Sequence, residues 1–317
     1  MTRSARLLIV GIYVLFAGGW AAAQTVVATV TVGSAPSLVA VNRKTNLIYV
    51  TNAGSNSVSV IDGATNTVIN TDTVAAFPQA VATNPALNRI YVGSFGSTNQ
   101  LSVINGATNQ VKQFQIGKSG VATGLSANSK SGMVYICNPV SNLVAFNGKT
   151  NKITTTLSVP NCSFGMNVIT KTNLIYVATF TPNITVIDGS TNKIVNSLPL
   201  DLTGAVSVAA DAQSNRLGVV DTNAGKFEVI DASSGSVLGT VTGLQRPFGA
   251  VYEPGGKFAL VTEESGNDMA LIDATNFAVV SHTTVGQFPI GIDYDPITRL
   301  AYVVNMTDGT VSVVSIP

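Results

Sequence analysis

The sequence predicts an all-β fold, a seven-bladed β-propeller, and three observations support this prediction. Of 317 residues, 45% are hydrophobic, only 10% are charged and 29 are glycine, a composition that favours strands and turns over helices. The stretch "NLIYVTNAGSNSVSVIDGATNTV" from Asn46 returns in close copies from Asn88 and Asn173. Each copy holds short alternating runs without a helical period, which is typical of a four-stranded propeller blade.

The repeats account for the whole chain after its first two dozen residues. Alignment on the tyrosine of "IYV" gives steps of 42, 44, 41, 42, 42 and 42 residues between Tyr49, Tyr91, Tyr135, Tyr176, Gly218, Leu260 and Tyr302. Seven units of this length leave no room for a linker. We therefore expect residues 24–317 to form one domain in which stacked blades cover one another's apolar faces.

Each unit is expected to contain four strands, a to d, counted from the ring axis outward. In the first unit they are predicted at Ser37–Val41, Leu47–Thr51, Ser57–Ile61 and Thr67–Val74. The turn between strands c and d begins with Asp62-Gly63, and its counterparts are Asn105-Gly106, Asn147-Gly148 and Asp188-Gly189. An Asx side chain followed by glycine predicts a tight turn with φ > 0 at the glycine.

The last unit predicts how the ring closes. It ends after its strand c, residues 311–316, and has no strand d. A lone strand, "TVVATVTV" at Thr25 to Val32, precedes the first unit. If residues 25–32 pair with residues 311–316, both free sheet edges disappear and the hazard of open edges is removed.

Residues 1–23 are typical of a secretory signal peptide. Arg3 and Arg6 precede an apolar run from Leu7 to Phe16, and a small-residue cleavage site, Ala21 to Ala23, lies before Gln24. The apolar run is shorter than the roughly 20 residues that a membrane span needs. We therefore expect an exported protein, periplasmic or at the cell surface, that has no membrane span after cleavage.

The charge balance argues against nucleic acid as a partner. Without Arg3 and Arg6 the chain keeps 15 basic and 16 acidic residues, a formal charge of −1. Binding to nucleic acid depends mainly on neutralising phosphates, so a nearly neutral chain gives no indication of it.

The motifs resemble a known family. "IYVTN" at Ile48 to Asn52, followed by "VSVID" and "GATN", is similar to the YVTN β-propeller repeat family of extracytoplasmic proteins. The resemblance implies the propeller fold and export. It implies little chemistry, because members are mostly described as surface, periplasmic or binding proteins and propellers host many functions.

A binding site is expected on the face where strands b end and strands a begin, around the channel mouth. Aromatic and polar residues around a concavity are typical of a ligand or partner site. The candidates are Phe77, Asn138, Phe164, Asp221, Arg246, Phe248, Glu263, Phe288 and Asn305. The alternative is that the Phe-Pro pairs only pack neighbouring blades. The expected occupant is a protein or a small molecule, and the expected oligomeric state is a monomer.

No cofactor is expected, with one alternative. Asp293 falls inside a strand a, where an unpaired carboxylate is costly unless water, a cation or a basic group reaches it. Together with Asp221 or Glu263 it is a candidate for a hard-cation site, with calcium as the ion.

The residues give little support to catalysis. His282 is the only histidine, and it is expected in a strand d at the outer rim, so a Ser-His-Asp triad at the mouth cannot be built. Three functions remain open, in this order: a binding or interaction module, a structural envelope component, and a metal-dependent hydrolase of the lactonase or esterase kind.

Cys137 and Cys162 are the only cysteines. Both are expected toward the same face of neighbouring blades, which makes a disulfide possible if their Cα atoms come within about 7 Å. The alternative is that Cys137 is a small buried residue of the core.

Overall fold

The computed structural model describes residues 24–95, 100–117, 122–138 and 142–317. The expected signal peptide, residues 1–23, lies outside the described residues. Regular structure in the described ranges is entirely β, in seven four-stranded antiparallel sheets. None of the described segments is a helix long and apolar enough to cross a membrane.

The strands follow one another in blade order. The first strand is β1 (Thr25–Thr31). Blade 1 comprises β2 (Pro36–Asn42), β3 (Leu47–Asn52), β4 (Ser57–Asp62) and β5 (Thr67–Thr73), and blade 2 comprises β6 (Pro78–Asn84), β7 (Arg89–Ser94), β8 (Gln100–Asn105) and β9 (Val111–Gln115). Blade 3 comprises β10 (Gly124–Ala127), β11 (Met133–Asn138), β12 (Asn142–Asn147) and β13 (Lys152–Leu157). Blade 4 comprises β14 (Cys162–Ile169), β15 (Leu174–Thr179), β16 (Asn183–Asp188) and β17 (Lys193–Pro199), and blade 5 comprises β18 (Ser207–Asp211), β19 (Arg216–Asp221), β20 (Lys226–Asp231) and β21 (Val237–Thr242). Blade 6 comprises β22 (Pro247–Tyr252), β23 (Phe258–Glu263), β24 (Asp268–Asp273) and β25 (Ala278–Thr284). Blade 7 contains β26 (Pro289–Asp295), β27 (Leu300–Asn305) and β28 (Thr310–Ser315).

These sheets form the predicted seven-bladed ring. The a strands contact one another in the order β2, β6, β10, β14, β18, β22, β26 and back to β2. The four strands predicted for the first unit coincide with β2 to β5 to within a residue at each end. The prediction of an all-β, seven-bladed propeller is confirmed.

The ring closes through β1, as predicted. β1 pairs antiparallel with β28, from Thr25 opposite Ser315 to Thr31 opposite Thr310, and so becomes the outermost strand of blade 7. Val30 of β1 is 6% exposed and packs in the same apolar cluster as Tyr302 of blade 7 and Val39 of blade 1. The closing strand therefore contributes to the interface between the first and last blades.

The core lies between neighbouring blades. The tyrosine of each "IYV" motif is fully buried, and Tyr49 of blade 1 packs with Val81 and Ile90 of blade 2. Blade 5 has Gly218 in the tyrosine position, and the buried ring of Phe227 fills the space that a side chain there would occupy. A blade is thus covered only by its neighbours, which is why the units repeat.

The turn chemistry differs from the prediction in one respect. Gly63 of "DGATN" does not have a positive φ; the left-handed residue is Asn66, with φ 55°. Glycine is needed at position 63 because the backbone and side chain of Asn46 approach it closely. Its amide donates to the Asn46 carbonyl at 2.9 Å, and an added Cβ would lie 2.9 Å from the Asn46 Cγ atom.

Candidate functional site

The propeller has two faces with different loops. We call the face that carries the b–c and d–a loops the b-end face, and the face that carries the a–b and c–d turns the turn face. Strands b end and strands a begin at the b-end face. All nine candidate binding residues belong to loops or strand ends on this side.

Four of the nine candidates are buried inside the blades. Asn138, Asp221, Glu263 and Asn305, at the ends of strands b, are at most 4% exposed. Asn305 illustrates what this position does: its Oδ1 accepts a hydrogen bond from Gly286 N of the d–a loop at 3.1 Å. Its Nδ2 donates to the Thr310 and Ser312 hydroxyls at 2.9 Å. Asn305 therefore ties a loop to its blade and presents no surface to a ligand.

Asp221 is held by protein donors on both carboxylate oxygens. Its Oδ2 accepts from Thr203 N at 2.6 Å and Thr203 Oγ1 at 2.7 Å, and its Oδ1 accepts from Ala224 N at 2.9 Å. Burial opposes ionisation of this carboxyl, but the hydrogen bonds outweigh burial and hold its pKa below the usual value. Asp221 is a structural anion that fixes two loops of blade 5.

The Asp221→Asn variant should lose about 2 kcal/mol of unfolding free energy at pH 7, since one charged hydrogen-bond acceptor is replaced. Because the folded-state pKa of Asp221 is lowered, its contribution is present above the unfolded pKa of about 3.9 and is lost as pH falls through the folded pKa. Urea unfolding at pH values from 7 to 3 should show that the difference in unfolding free energy between wild type and the variant becomes smaller as the pH falls. A difference independent of pH would contradict this assignment.

Asp293 has a basic partner, one of the three kinds of partner expected for a carboxylate inside a strand a. Its Oδ2 accepts a hydrogen bond from Val41 N of blade 1 at 2.8 Å, and its Oδ1 lies 3.7 Å from the Arg43 guanidinium. Burial raises the pKa of Asp293, and the Arg43 charge and backbone donors oppose that rise. Asp293 thus joins the last blade to the first at the ring closure.

The three alternative candidates for a calcium site, Asp221, Glu263 and Asp293, each have other partners in the structure. The Asp221 carboxylate accepts hydrogen bonds from loops of blade 5. The Asp293 carboxylate accepts a hydrogen bond from blade 1 and pairs with Arg43 of that blade. Within the described ranges, the residues whose ligand atoms converge are instead Glu263, Asp268 and His282, all within 4.8 Å of one another.

Phe164 and Phe248 face the ring axis. They belong to the a strands of blades 4 and 6, and their ring centroids are 5.5 Å apart. Both line a channel cavity of about 580 Å³ whose wall includes a–b turn residues such as Arg43 and Pro85. The two rings therefore narrow the channel on the b-end side, and the cavity extends toward the turn face.

The b-end face carries an exposed apolar set that we call the aromatic face. Its members are 37–48% exposed. They precede a strand a or follow a strand b, and they are Phe77, Phe95, Phe180, Phe288 and Met306. The two positions are neighbours in space, because Phe95 N donates to Phe77 O at 2.8 Å and Met306 N donates to Phe288 O at 3.1 Å.

Sequence reasoning found Phe77 and Phe288 of this face but missed Phe95, Phe180 and Met306. These three residues could have been identified from the sequence, since each directly follows the last residue of a strand b. The ring of Phe95 lies 6.4 Å from that of Phe77, and the ring of Phe180 lies 6.3 Å from that of Phe164. Rings from adjoining loops thus form pairs on the b-end face.

Phe77 and Phe288 are held in an unfavourable backbone conformation. Their φ angles are 58° and 55°, in the left-handed region that costs a residue with a side chain about 1–2 kcal/mol. The side-chain oxygens of Asn56 and Asn267 accept hydrogen bonds from the two amides, at 2.8 and 3.0 Å. The b–c loops thereby fix the direction in which both rings project.

Arg246 occupies the same loop position in blade 6, with φ 54°. Its Nε lies 3.1 Å from Oε2 of Glu264, which is 4% exposed. Burial raises the pKa of Glu264, and the Arg246 charge opposes that rise. The b-end face therefore presents an ion pair beside its apolar residues.

The b-end side of blade 6 holds a cluster of three titratable side chains, of which His282 was expected at the outer rim and Glu263 among the binding residues. His282 Nδ1 lies 2.8 Å from Glu263 Oε2 and 3.5 Å from Asp268 Oδ2. Burial raises the pKa of Glu263, and the nearby Asp268 carboxyl raises it further. We call Glu263, Asp268 and His282 the blade 6 cluster.

Cys137 and Cys162 are joined by a disulfide. Their Cα atoms are 5.9 Å apart, and the bond links strand b of blade 3 to the start of strand a of blade 4. Both residues are fully buried. The bond therefore reinforces a blade interface.

Comparisons with known proteins identify the fold. No family model and no curated protein matches the sequence. Among solved structures, the chain is similar to a chain of Kuenenia stuttgartiensis hydrazine synthase, with a TM-score of 0.76 and 14% identity over 88% of this chain and 95% of that one. At this identity the likeness shows the fold alone: the protein is a seven-bladed β-propeller.

Proposed function

We propose that the protein is an exported binding module of the YVTN type, and that the aromatic face holds an apolar segment of a protein partner. The observation that carries the proposal is the exposure of Phe77 and Phe288 in a left-handed conformation. Each residue combines a strained backbone with a large apolar side chain in water.

The fold itself does not require phenylalanine at these positions. The corresponding residue in blade 4 is Asn161, with φ 58°, and asparagine tolerates this conformation better than other residues with a side chain. Phe77 is 48% exposed and Phe288 is 39% exposed, so the rings gain little from burial. Strain that persists without a structural benefit is typical of binding sites.

The composition of the aromatic face fits a protein partner. Phenylalanine, methionine and arginine are enriched at the centres of protein interfaces, where a few large side chains supply most of the binding energy. The ion pair of Arg246 with Glu264 lies on the same face. It would orient a polar group of the partner.

Export is supported by two features of the chain. The disulfide of Cys137 and Cys162 is of a kind that persists in oxidising compartments outside the cytoplasm. The "IYVTN" and "GATN" motifs agree with the extracytoplasmic family that the sequence resembles.

The Phe77→Asn and Phe288→Asn double variant tests the binding proposal. We expect partner affinity to fall by about 30-fold or more, since an interface hot spot contributes roughly 2 kcal/mol or more. We also expect the melting temperature to stay equal or to rise, because asparagine suits φ > 0. Capture from the native cell envelope, followed by titration of the purified partner, measures the affinity, and thermal unfolding of wild type and variant measures the melting temperature.

The matched control is Ile297→Asn. Ile297 is 59% exposed and lies in an a–b turn on the turn face, so the substitution removes a comparable apolar side chain from the other side. Binding that survives the double variant, or that falls equally in the control, would overturn the proposal.

A further inference from the structure

We propose that Glu263, Asp268 and His282 bind one transition-metal dication, with Zn²⁺ as the best match, at the b-end edge of blade 6. This site shares no residue with the aromatic face and does not depend on the proposed partner.

The strand register brings the three ligands to one side of the blade. Glu263 ends strand b, Asp268 begins strand c directly opposite it, and His282 lies on strand d opposite Ala270. Residues 268 and 270 project to the same face of a strand. Three strands therefore each supply one ligand atom.

The spacing of the ligand atoms suits a tetrahedral ion. With bonds of about 2.0–2.1 Å to nitrogen and oxygen, such an ion separates its ligand atoms by roughly 3.3 Å. The His282 Nδ1 atom lies 2.8 Å from Glu263 Oε2 and 3.5 Å from Asp268 Oδ2. Shifts of a few tenths of an ångström would admit the ion.

Glu263 Oε2 is buried in this cluster, and the His282 Nδ1 atom that lies 2.8 Å from it is not aligned for a hydrogen bond. The Glu263 side chain is only 1% exposed. Its Oε1 accepts from Gln245 N, but within the described part of the chain its Oε2 has no aligned donor, and neither has Asp268 Oδ1. A buried carboxylate oxygen without an aligned hydrogen-bond donor is costly, and a bound cation would remove that cost.

Blades 1 and 7 fill the same position with a neutral network. In blade 1, Asn52 donates to the hydroxyls of Ser57 and Ser59 at 3.1 and 3.0 Å. Blade 6 has Glu263 and Asp268 in place of Asn52 and Ser57. Its counterpart of Ser59 is Ala270, which has no hydroxyl and leaves that space to the His282 ring.

The ligand types select the class of metal. Calcium and magnesium prefer oxygen ligands alone, whereas an imidazole nitrogen with two carboxylates suits Zn²⁺ and similar transition ions. Three protein ligands leave a fourth position free. The His282 side chain is 47% exposed, so that position faces solvent.

Zn²⁺ titration of untagged, chelator-treated protein tests the proposal. Wild type should bind one equivalent and melt about 5 °C higher at 100-fold excess over the dissociation constant. Ca²⁺ at the same concentration should have no effect. Because His282 is the only histidine, its imidazole ¹⁵N signals should shift in NMR spectra and report the site directly.

Variants distinguish this site from adventitious binding. His282→Ala and Asp268→Asn should fold like wild type, because both side chains are partly exposed, and should weaken Zn²⁺ affinity by at least about 100-fold, since even outer-shell partners of a metal cost 10–100-fold. Thr71→Ala, at the corresponding strand d position of blade 1, should leave affinity unchanged. Wild type that binds no Zn²⁺, or a His282→Ala variant that binds it equally well, would overturn the proposal.

Discussion

Removal of residues 25–32 should leave a folded but open ring that aggregates. The deletion unpairs six positions of β28, which represents roughly 6 kcal/mol at one backbone hydrogen bond for each position and about 1 kcal/mol net for each bond. For a domain of this size, we expect a fall in melting temperature of roughly 10 °C. The exposed edge of β28 should drive self-association, which light scattering and size-exclusion chromatography measure.

Two point variants in β1 provide matched controls. Val30 is 6% exposed and Val27 is 52% exposed on the same strand. Val30→Ala should cost about 2 kcal/mol through lost burial, whereas Val27→Ala should cost little. A monomeric deletion variant with an unchanged melting temperature, or equal effects of the two alanines, would contradict closure through β1.

Replacement of both cysteines by alanine should cost about 3 kcal/mol. The disulfide closes a loop with a sequence separation of 25 residues, and the loop-entropy relation gives a value of that size at 25 °C. The melting temperature should fall by roughly 7 °C. Dithiothreitol should lower the melting temperature of wild type to the same extent and leave the Cys137→Ala and Cys162→Ala double variant unaffected.

Thiol titration of exported protein, unfolded without reductant, provides an independent check. The structure predicts no free thiols, because Cys137 and Cys162 are bonded to each other. Two free thiols per chain would show that the bond is absent in the protein as produced, and would also remove one support for export.

The fold could be predicted because its information is local and repeated. The 42-residue spacing of Tyr49 and Tyr91 fixes the blade, and the alternation of residues 57–61 fixes a strand within it. The conformation of the turns was harder to predict from the sequence. Gly63 is required by the approach of the Asn46 loop, a contact between two turns that the sequence of either turn does not reveal.

The site was harder to predict because burial is a property of the assembled ring. Asp221 and Asn305 end strands at the expected face, yet their side chains turn inward to hold the d–a loops. His282 was placed at the rim from its strand. It still reaches Glu263, because the register of three strands places both residues on one side of blade 6.

Site-specific photo-crosslinking in the native cell envelope is the most direct test of the aromatic face as a binding surface. A photoreactive phenylalanine analogue replaces Phe77, Phe180 or Phe288 on the b-end face. Control probes replace Ile297 on the turn face and Ile194 on an outer strand, both exposed. We expect the three b-end probes to give one shared protein adduct that the controls lack. Adducts of equal yield at all five positions, or adducts only at the controls, would contradict binding through the aromatic face.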